Sequence, residues 1–238
     1  MNHDQGQSER VADWYQAYQR RSGADRNDLR TNRGVLFQTL AQDVAVVRAC
    51  HDIALEPDKA RILDVGSGRG NTLAQLIRLG YRPANITGIE IQAERIKWTR
   101  DIYAQVCLIH GDASSVGFGD GTFDLVTEGT MFAALTDNGL RQRISSEMLR
   151  VCRPGGYLLL IDWRIPKWRD ANYRALTKRE VRNLFEVGVK TDLIGTYRGA
   201  LVPPIGRFLS TWLPSLYFVV RAAAPFLVGQ VAYLLKRN

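Results

Sequence analysis

The chain alternates between short apolar runs and segments with helical hydrophobic spacing over most of its length. The apolar runs predict strands at residues 61–65, 86–91, 106–110, 123–127 and 157–162. The helical segments lie between them, at residues 71–80, 92–103 and 137–151. Because strand and helix follow each other in turn, the pattern predicts a mostly parallel sheet with helices on both faces, a three-layer α/β sandwich.

The first fifty residues predict helices. One is expected over residues 9–22 and a second over residues 35–50, separated by a polar stretch. We therefore divide the chain into an N-terminal segment, residues 1–34, and a domain, residues 35–238. One side of the first helix carries Val11, Trp14, Tyr15 and Tyr18. Two interpretations of these side chains are open, a packed core face or a lid over a ligand.

The pattern continues beyond the fifth strand. Thr177 and Glu180 form a capping box, which predicts the start of a helix. A sixth strand is expected over residues 190–198 and a seventh over residues 230–236. The apolar stretch between them, residues 199–229, is predicted to be a helical insertion before the last strand.

Residues 208–235 are unusually apolar and contain one charged residue, Arg221. It divides them into uncharged runs of 13 and 14 residues. Both are shorter than the roughly 20 residues that span a bilayer, and Pro214 and Pro225 interrupt them. Short helices over the sheet are one interpretation. A surface that touches a membrane is the other, because basic residues flank bulky ones: Phe208, Trp212, Leu216, Tyr217 and Phe218.

The composition is that of a soluble globular protein: 45% of the 238 residues are hydrophobic and 24% are charged. No signal peptide is visible, and three scattered cysteines fit neither a disulfide framework nor a metal site. The three histidines are equally scattered, so no metal is expected. These features predict a cytoplasmic protein, with contact at the inner face of the membrane as an option if the apolar insertion touches lipid.

The net charge of +8 is unevenly distributed. Residues 164–238 carry thirteen Lys/Arg and four Asp/Glu, whereas the rest of the chain is close to neutral. A one-sided basic region is typical of a protein with an anionic partner, such as a phosphorylated substrate, a membrane surface or nucleic acid. A solvated basic surface is the alternative.

A glycine-rich turn follows the first strand. Residues 62–71 read Ile-Leu-Asp-Val-Gly-Ser-Gly-Arg-Gly-Asn, with glycines at alternate positions. A dinucleotide-binding turn has the spacing G-x-G-x-x-G, which would require glycine at position 71, where the chain has Asn71. The turn therefore indicates a ligand at the carboxyl end of the strand, and disfavours a dinucleotide.

Acidic residues follow the other predicted strands. Glu90 ends the second strand, where a carboxylate can accept hydrogen bonds from both hydroxyls of a ribose. Asp112 follows the third strand and Glu128 the fourth. Since the carboxyl ends of parallel strands meet at one edge of a sheet, these side chains are expected to lie near the glycine-rich turn.

These motifs together resemble the class I S-adenosylmethionine-dependent methyltransferases. The resemblance extends over residues 35–238 and includes a Pro-Gly-Gly turn at 154–156; part of it is similar to a small bacterial branch sometimes associated with glycan and lipid-linked polysaccharide biosynthesis. It implies a seven-stranded Rossmann-like sheet and S-adenosylmethionine as cofactor. The residues expected to bind it are Asp64, Gly66, Ser67, Gly68, Gly70, Asn71, Glu90, Ile91, Asp112, Ala113 and Glu128.

The acceptor side is less well marked. Asp162 ends the fifth strand and is the candidate proton acceptor, while Arg164 and Arg21 are candidates for binding an anionic substrate. The leading hypothesis is O-methylation of a small molecule or of a glycan, either free or lipid-linked. C-methylation of a membrane quinone or lipid is the first alternative.

A nucleic-acid-binding protein or methyltransferase is the second alternative, suggested by the isoelectric point of about 9.6. Residues 127–130 read Thr-Glu-Gly-Thr, without the Asn/Asp-Pro-Pro-aromatic motif common in amino-group methylases. Nucleic acid is therefore the less favoured partner. A dehydrogenase is a more distant hypothesis.

Overall fold

The computed structural model describes residues 29–166 and 170–238. The helix predicted over residues 9–22, its candidate role as a lid, and the candidate substrate ligand Arg21 lie outside the described residues. The polar segment before the domain is described only from residue 29.

A single seven-stranded sheet forms the centre of the described chain, in the order β3-β2-β1-β4-β5-β7-β6. All neighbouring strands are parallel except for β7, which is antiparallel to both β5 and β6. This confirms the mostly parallel, Rossmann-like sheet. The strands are β1 Ile62–Val65, β2 Ile86–Glu90, β3 Cys107–His110, β4 Phe123–Gly129, β5 Cys152–Trp163, β6 Thr191–Arg198 and β7 Gln230–Arg237.

The fifth strand is longer than predicted, because the Pro-Gly-Gly turn is absorbed into it. Phe123 pairs with Cys152 and Leu125 pairs with Tyr157, so the residues between Cys152 and Tyr157 form a bulge. Gly155 adopts a φ of 74°, which accommodates the bulge without a steric penalty from a side chain.

Seven α-helices cover the sheet in the described residues. Three of them begin with a side-chain cap: Asn32 accepts from the Gly34 amide, Asp137 accepts from the Leu140 amide, and Thr177 forms the predicted capping box with Glu180. The helices are α1 Arg33–His51, α2 Asn71–Arg78, α3 Ala93–Ile102, α4 Asn138–Val151, α5 Lys178–Leu184, α6 Pro203–Trp212 and α7 Tyr217–Ala223.

Alternate strand residues enter two separate buried clusters, one on each face of the sheet. On β1, Ile62 belongs to one cluster with residues of α1, α2 and α3, whereas Leu63 belongs to the other with residues of α4, α5, α6 and α7. This division confirms the three-layer sandwich. Strands β1 and β4, buried at its centre, hold the cofactor motifs in place.

The insertion, residues 199–229, leaves β6 and returns into β7 as α6, α7 and two short 3₁₀ turns. Since β6 runs parallel to β5 and β7 runs against it, both connections lie at the carboxyl edge of the parallel strands. The Ser210 hydroxyl of α6 donates to the Arg33 carbonyl and joins the insertion to α1. No helix in the described part of the chain is long and apolar enough to cross a membrane.

Candidate cofactor site

The glycine-rich turn between β1 and α2 is held against its neighbours by backbone contacts. The amides of Gly66 and Ser67 both donate to the Ile89 carbonyl, at 2.9 and 3.0 Å. Gly70 has a φ of 79°, and a Cβ placed there would lie 2.7 Å from the Tyr103 ring. The turn thus requires glycine for its conformation and for its close packing.

Glu90 links the turn to the second strand. Its two carboxylate oxygens accept from the amides of Gly68 and Gln92, each at 2.9 Å. The side chain is only 6% exposed. A carboxylate has about four acceptor positions, so Glu90 retains capacity for two ribose hydroxyls while its orientation is fixed by the backbone.

Asp64 is the buried acid directly before the turn. The Thr127 hydroxyl donates to its Oδ1 at 2.8 Å. Among the described residues, neither Asp64 Oδ2 nor the neighbouring Ser67 Oγ has a hydrogen-bond partner. Burial, with a smaller contribution from the charge of Glu90, raises the pKa of Asp64 to about 7 against the effect of the Thr127 hydrogen bond.

Two more buried carboxyl groups lie on neighbouring strands. Glu128 pairs in register with Leu160, two residues before Asp162, so the strand pleat places both acids on one face. Burial raises the pKa of Glu128 well above its usual range, and the charge of Asp162 adds to this. Burial also raises the pKa of Asp162 to about 7, although amide hydrogen bonds and the charge of Arg141 oppose the shift.

These two carboxyl groups hold the chain that follows β4. Glu128 accepts from the Met131 amide at 3.0 Å, and Asp162 accepts from the amides of Ala133 and Trp163 at 2.9 and 2.6 Å. Within this segment Thr130 has a positive φ of 62°, a strained conformation for a β-branched residue. The segment after β4 is therefore fixed by buried acids.

Arg141 of α4 supports the same segment from the other side. Its guanidinium donates to the carbonyls of Phe132 and Leu135, at 2.8 and 3.1 Å, and the residue is only 1% exposed. Desolvation lowers the pKa of Arg141, while Glu180 counteracts this. A buried cation thus lies beside the carboxyl groups of Asp162 and Glu128.

The remaining predicted cofactor residues surround the turn at its open side. Asp112 is half-buried and accepts from the Ser114 amide at 2.8 Å, which is a turn-forming contact. The Ile91 carbonyl lies 2.9 Å from His110 Nε2. Ala113 and Ile91 are half-buried, and Asn71 is exposed at the start of α2.

Arg164, the candidate substrate ligand, contacts the insertion. Its Nε donates to the Val228 carbonyl at 2.8 Å and its Nη2 to the Pro225 carbonyl at 2.6 Å. These hydrogen bonds connect the end of β5 to residues 225–228. Arg164 therefore has a structural role that the sequence did not reveal.

Four residues of the site received no individual role in the sequence analysis: Thr127, Met131, Tyr103 and Arg141. Met131 lies over the turn, with its sulfur 3.0 Å from the position a Gly66 Cβ would take. Only Arg141 left a signal, because it occupies the same helical face as the buried Leu140, Ile144 and Met148. An arginine at an apolar position of a helix indicates a buried side chain that forms hydrogen bonds inside the protein.

The chemistry of this site fits a cationic ligand. Asp64 Oδ2, Ser67 Oγ and Glu128 Oε1 are buried acceptors without partners in the described chain, and burying them so is costly unless a donor or a positive charge meets them. S-adenosylmethionine carries a positive sulfonium and an ammonium group, which match these acceptors. The anionic pyrophosphate of a dinucleotide does not. Among the described residues, no group of His, Cys, Asp and Glu could hold a metal ion.

Comparison with known proteins agrees with this chemistry. Residues 62–156 match the family model described as a methyltransferase domain. These residues form a methyltransferase domain. They include the turn, Glu90, Asp112, Glu128 and the Pro-Gly-Gly bulge.

Similar sequences extend beyond this domain in part. A fatty-acid O-methyltransferase of Mycolicibacterium smegmatis is 32% identical over 59% of this chain and 54% of its own length. A 2-methyl-6-phytyl-1,4-hydroquinone methyltransferase of Synechocystis is 32% identical over 55% of this chain and 40% of its own. The chain thus spans about half the length of the curated relatives it matches.

Solved structures share the fold. A SAM-dependent methyltransferase of Methanosarcina mazei aligns with a TM-score of 0.57 at 18% identity, covering 79% of this chain and 96% of its own. A geranyl diphosphate C-methyltransferase of Streptomyces coelicolor, in complex with S-adenosyl-L-homocysteine, aligns with a TM-score of 0.59 at 13% identity. It covers 81% of this chain and 77% of its own.

Proposed function

We propose that the chain transfers a methyl group from S-adenosylmethionine to an oxygen atom of a small, apolar or lipid-linked acceptor. The observation that carries this proposal is the set of buried carboxyl groups with unpartnered oxygens at the carboxyl ends of β1 and β4, inside a methyltransferase domain. Such a set favours a ligand with positive charges near both strand ends.

When bound, S-adenosylmethionine supplies an activated methyl group on its sulfonium. The chain supplies position and charge. Glu90 is oriented to accept from the ribose hydroxyls, and Asp64 with Ser67 offers acceptors to the ammonium end. Met131 lies over the turn, and Glu128 and Asp162 fix the segment after β4 beside it. Such positioning can contribute several kcal/mol to a transfer reaction.

Asp162 is the proposed proton acceptor or orienting group for an acceptor hydroxyl. Both of its oxygens are held by backbone amides, so its direction is fixed, and each oxygen retains a second lone pair. Its pKa of about 7 suits a group that must accept a proton near neutral pH. The unpartnered Oε1 of Glu128 lies on the same strand face and offers a second contact to cofactor or acceptor.

The acceptor class is proposed from the relatives and from the surface of the insertion. The two relatives described above are named for a fatty acid and for a phytylated hydroquinone. Exposed apolar side chains on α6 and α7 also favour a lipid environment. Both observations favour a lipid over a glycan, and the association with glycan biosynthesis stays a prediction. C-methylation of a quinone is the second candidate, supported by the same two observations.

The cofactor is tested by calorimetric titration of the full chain with S-adenosylmethionine and with NAD. We expect heat of binding with the first and none with the second. Binding of NAD without binding of S-adenosylmethionine would refute the proposal.

The acceptor is tested with methyl-tritiated S-adenosylmethionine and a cell extract divided into lipid and water-soluble fractions. Label should enter the lipid fraction, and hydriodic acid should release it as methyl iodide if the methyl group is on oxygen. Label that resists release supports the C-methyl alternative instead. Transfer of label only into the water-soluble fraction would contradict a lipid acceptor. The cofactor assignment is tested independently by calorimetry.

A further inference from the structure

The insertion exposes six large apolar side chains, which we call the insertion surface: Phe208, Trp212, Leu213, Leu216, Val219 and Phe226. Trp212 and Phe226 are each 72% exposed. A run of apolar side chains exposed to this extent is uncommon on a soluble protein and marks a contact site.

The insertion surface is the outward side of two helices that are well anchored on their inward side. On α6, Phe208 and Trp212 are one helical turn apart and lie opposite the buried Ser210. On α7, Val219 lies opposite the buried Tyr217, whose hydroxyl accepts from the Leu201 amide at 3.2 Å. The exposed side chains thus project from a supported base.

The charge around this surface has one sign. Residues 199–229 contain no Asp or Glu. At one end, Arg207 packs against Gly34, next to Arg33. At the other end, Arg198 reaches the Ala222 carbonyl at 3.4 Å.

A second group of arginines reinforces this end. Arg221 donates to the Gly199 carbonyl at 2.7 Å, and desolvation lowers its pKa, as do the charges of Arg48 and Arg198. Within the described ranges, Arg33, Arg48 and Arg198 form no ion pair with a carboxylate. Asp52, the residue after α1, accepts a hydrogen bond from the Tyr197 hydroxyl.

We propose that the insertion surface docks the protein on an anionic lipid bilayer, with its apolar side chains in the interface and its arginines against the headgroups. Apolar side chains bordered by Lys or Arg are the combination that binds such membranes. A second copy of the chain fits less well, because a two-fold contact through this surface would bring the same arginines together.

The insertion surface lies close to the candidate cofactor site, which suggests what membrane docking would achieve. The insertion leaves β6 and enters β7 at the carboxyl edge of the sheet, where Asp64, Glu90 and Asp162 lie. Arg164 joins the end of β5 to residues 225–228 by two hydrogen bonds. Docking would therefore bring the acceptor side of the site close to the lipid. This role in bringing the site to a lipid acceptor rests on the proposed function, whereas the proposal that the surface binds membranes does not.

Cosedimentation of the full chain with vesicles tests the docking, in the absence of S-adenosylmethionine. We expect binding to phosphatidylcholine vesicles that contain phosphatidylglycerol, weaker binding at high salt, and little binding to phosphatidylcholine alone. The double variant Trp212→Ser/Phe226→Ser should bind the anionic vesicles at least about tenfold more weakly, because two large side chains no longer enter the membrane interface. Arg198→Gln should reduce binding about fivefold.

The matched control is Val189→Ser, which removes an apolar side chain that is 74% exposed at the opposite edge of the sheet. This variant should bind vesicles like the unchanged protein. Equal vesicle binding by the double variant, or equal binding to neutral and anionic vesicles, would overturn the proposal. So would a dimer that the double variant converts to monomer without a change in vesicle binding. Calorimetry with S-adenosylmethionine shows separately whether each variant keeps its cofactor site.

Discussion

The cofactor site and the insertion surface lie at the same edge of one sheet and have opposite chemistry. Around the glycine-rich turn the chain buries carboxyl groups, with Asp64 1% exposed and both Glu128 and Asp162 fully buried. On the insertion it exposes apolar side chains and surrounds them with arginine. One region concentrates carboxyl groups inside the protein, and the other concentrates positive charge outside it.

This difference indicates what each region can bind. Buried acids with unpartnered oxygens are stabilised by a compact ligand with positive charge, which can enter and displace water. Exposed apolar side chains among arginines are stabilised by an extended, anionic and apolar surface. The two regions should therefore respond to different substitutions, and this independence can be tested.

The largest expected effect is on cofactor affinity in Asp64→Asn. Loss of the buried carboxylate should weaken binding of S-adenosylmethionine by about one to two orders of magnitude, because interactions with charged groups contribute roughly 1.5–3 kcal/mol. Vesicle binding should not change. Calorimetry and cosedimentation measure the two effects.

Asp43→Asn is the matched control, since Asp43 pairs with Arg78 at 2.7 Å, on helices away from the carboxyl groups of the site. It should leave cofactor affinity unchanged. If Asp43→Asn weakens affinity as much as Asp64→Asn does, Asp64 has no special role at the site.

A pair of glycine substitutions gives the next largest contrast. Gly70→Ala forces a side chain into a φ of 79° and to within 2.7 Å of Tyr103, which should lower the free energy of unfolding by about 2–4 kcal/mol. In Gly206→Ala, inside α6, the added Cβ would lie no closer than 3.4 Å to any neighbouring atom. This substitution should raise the free energy of unfolding by less than about 1 kcal/mol. Denaturant unfolding measures both.

Similar destabilisation by the two alanine substitutions would contradict the contrast between a tightly packed turn and a helix with room for a side chain. Each variant should also be titrated with S-adenosylmethionine. Only Gly70→Ala is expected to lose affinity, because only Gly70 belongs to the proposed cofactor site.

The smallest expected effect is a difference in pH dependence. Asp162 must be ionised to accept a proton, and its pKa of about 7 means that the ionised form is lost as the pH falls through that value. At saturating S-adenosylmethionine, kcat should therefore rise about tenfold from pH 6 to pH 8. Vesicle binding should stay constant over this range, because arginine remains charged.

Asp162→Asn should lower kcat and remove its pH dependence, while affinity for S-adenosylmethionine is kept. An unchanged pH profile in this variant would assign the proton to another group. Asp192→Asn, an exposed acid on β6, is the matched control and should change neither quantity.

Local features made the cofactor half of the site predictable from the sequence. The spacing of Gly66, Gly68 and Gly70, and the acids that end each strand, are set by residues close together in the chain. The acceptor half depends on distant residues. Arg164 illustrates this, since its partners are carbonyls 61 and 64 residues further along the chain. No periodicity or motif could assign its guanidinium to them.

The sequence by itself determined the order of strands and helices, the glycine-rich turn, and the acids at the ends of the strands. Hydrophobic period and backbone conformation are local properties, so they can be read along the chain. Only the tertiary structure decided which acids lose water and share one buried space, and which apolar residues of the insertion stay outside. Burial and electrostatic coupling depend on neighbours across the sheet, and the sheet brings together residues that lie far apart in sequence.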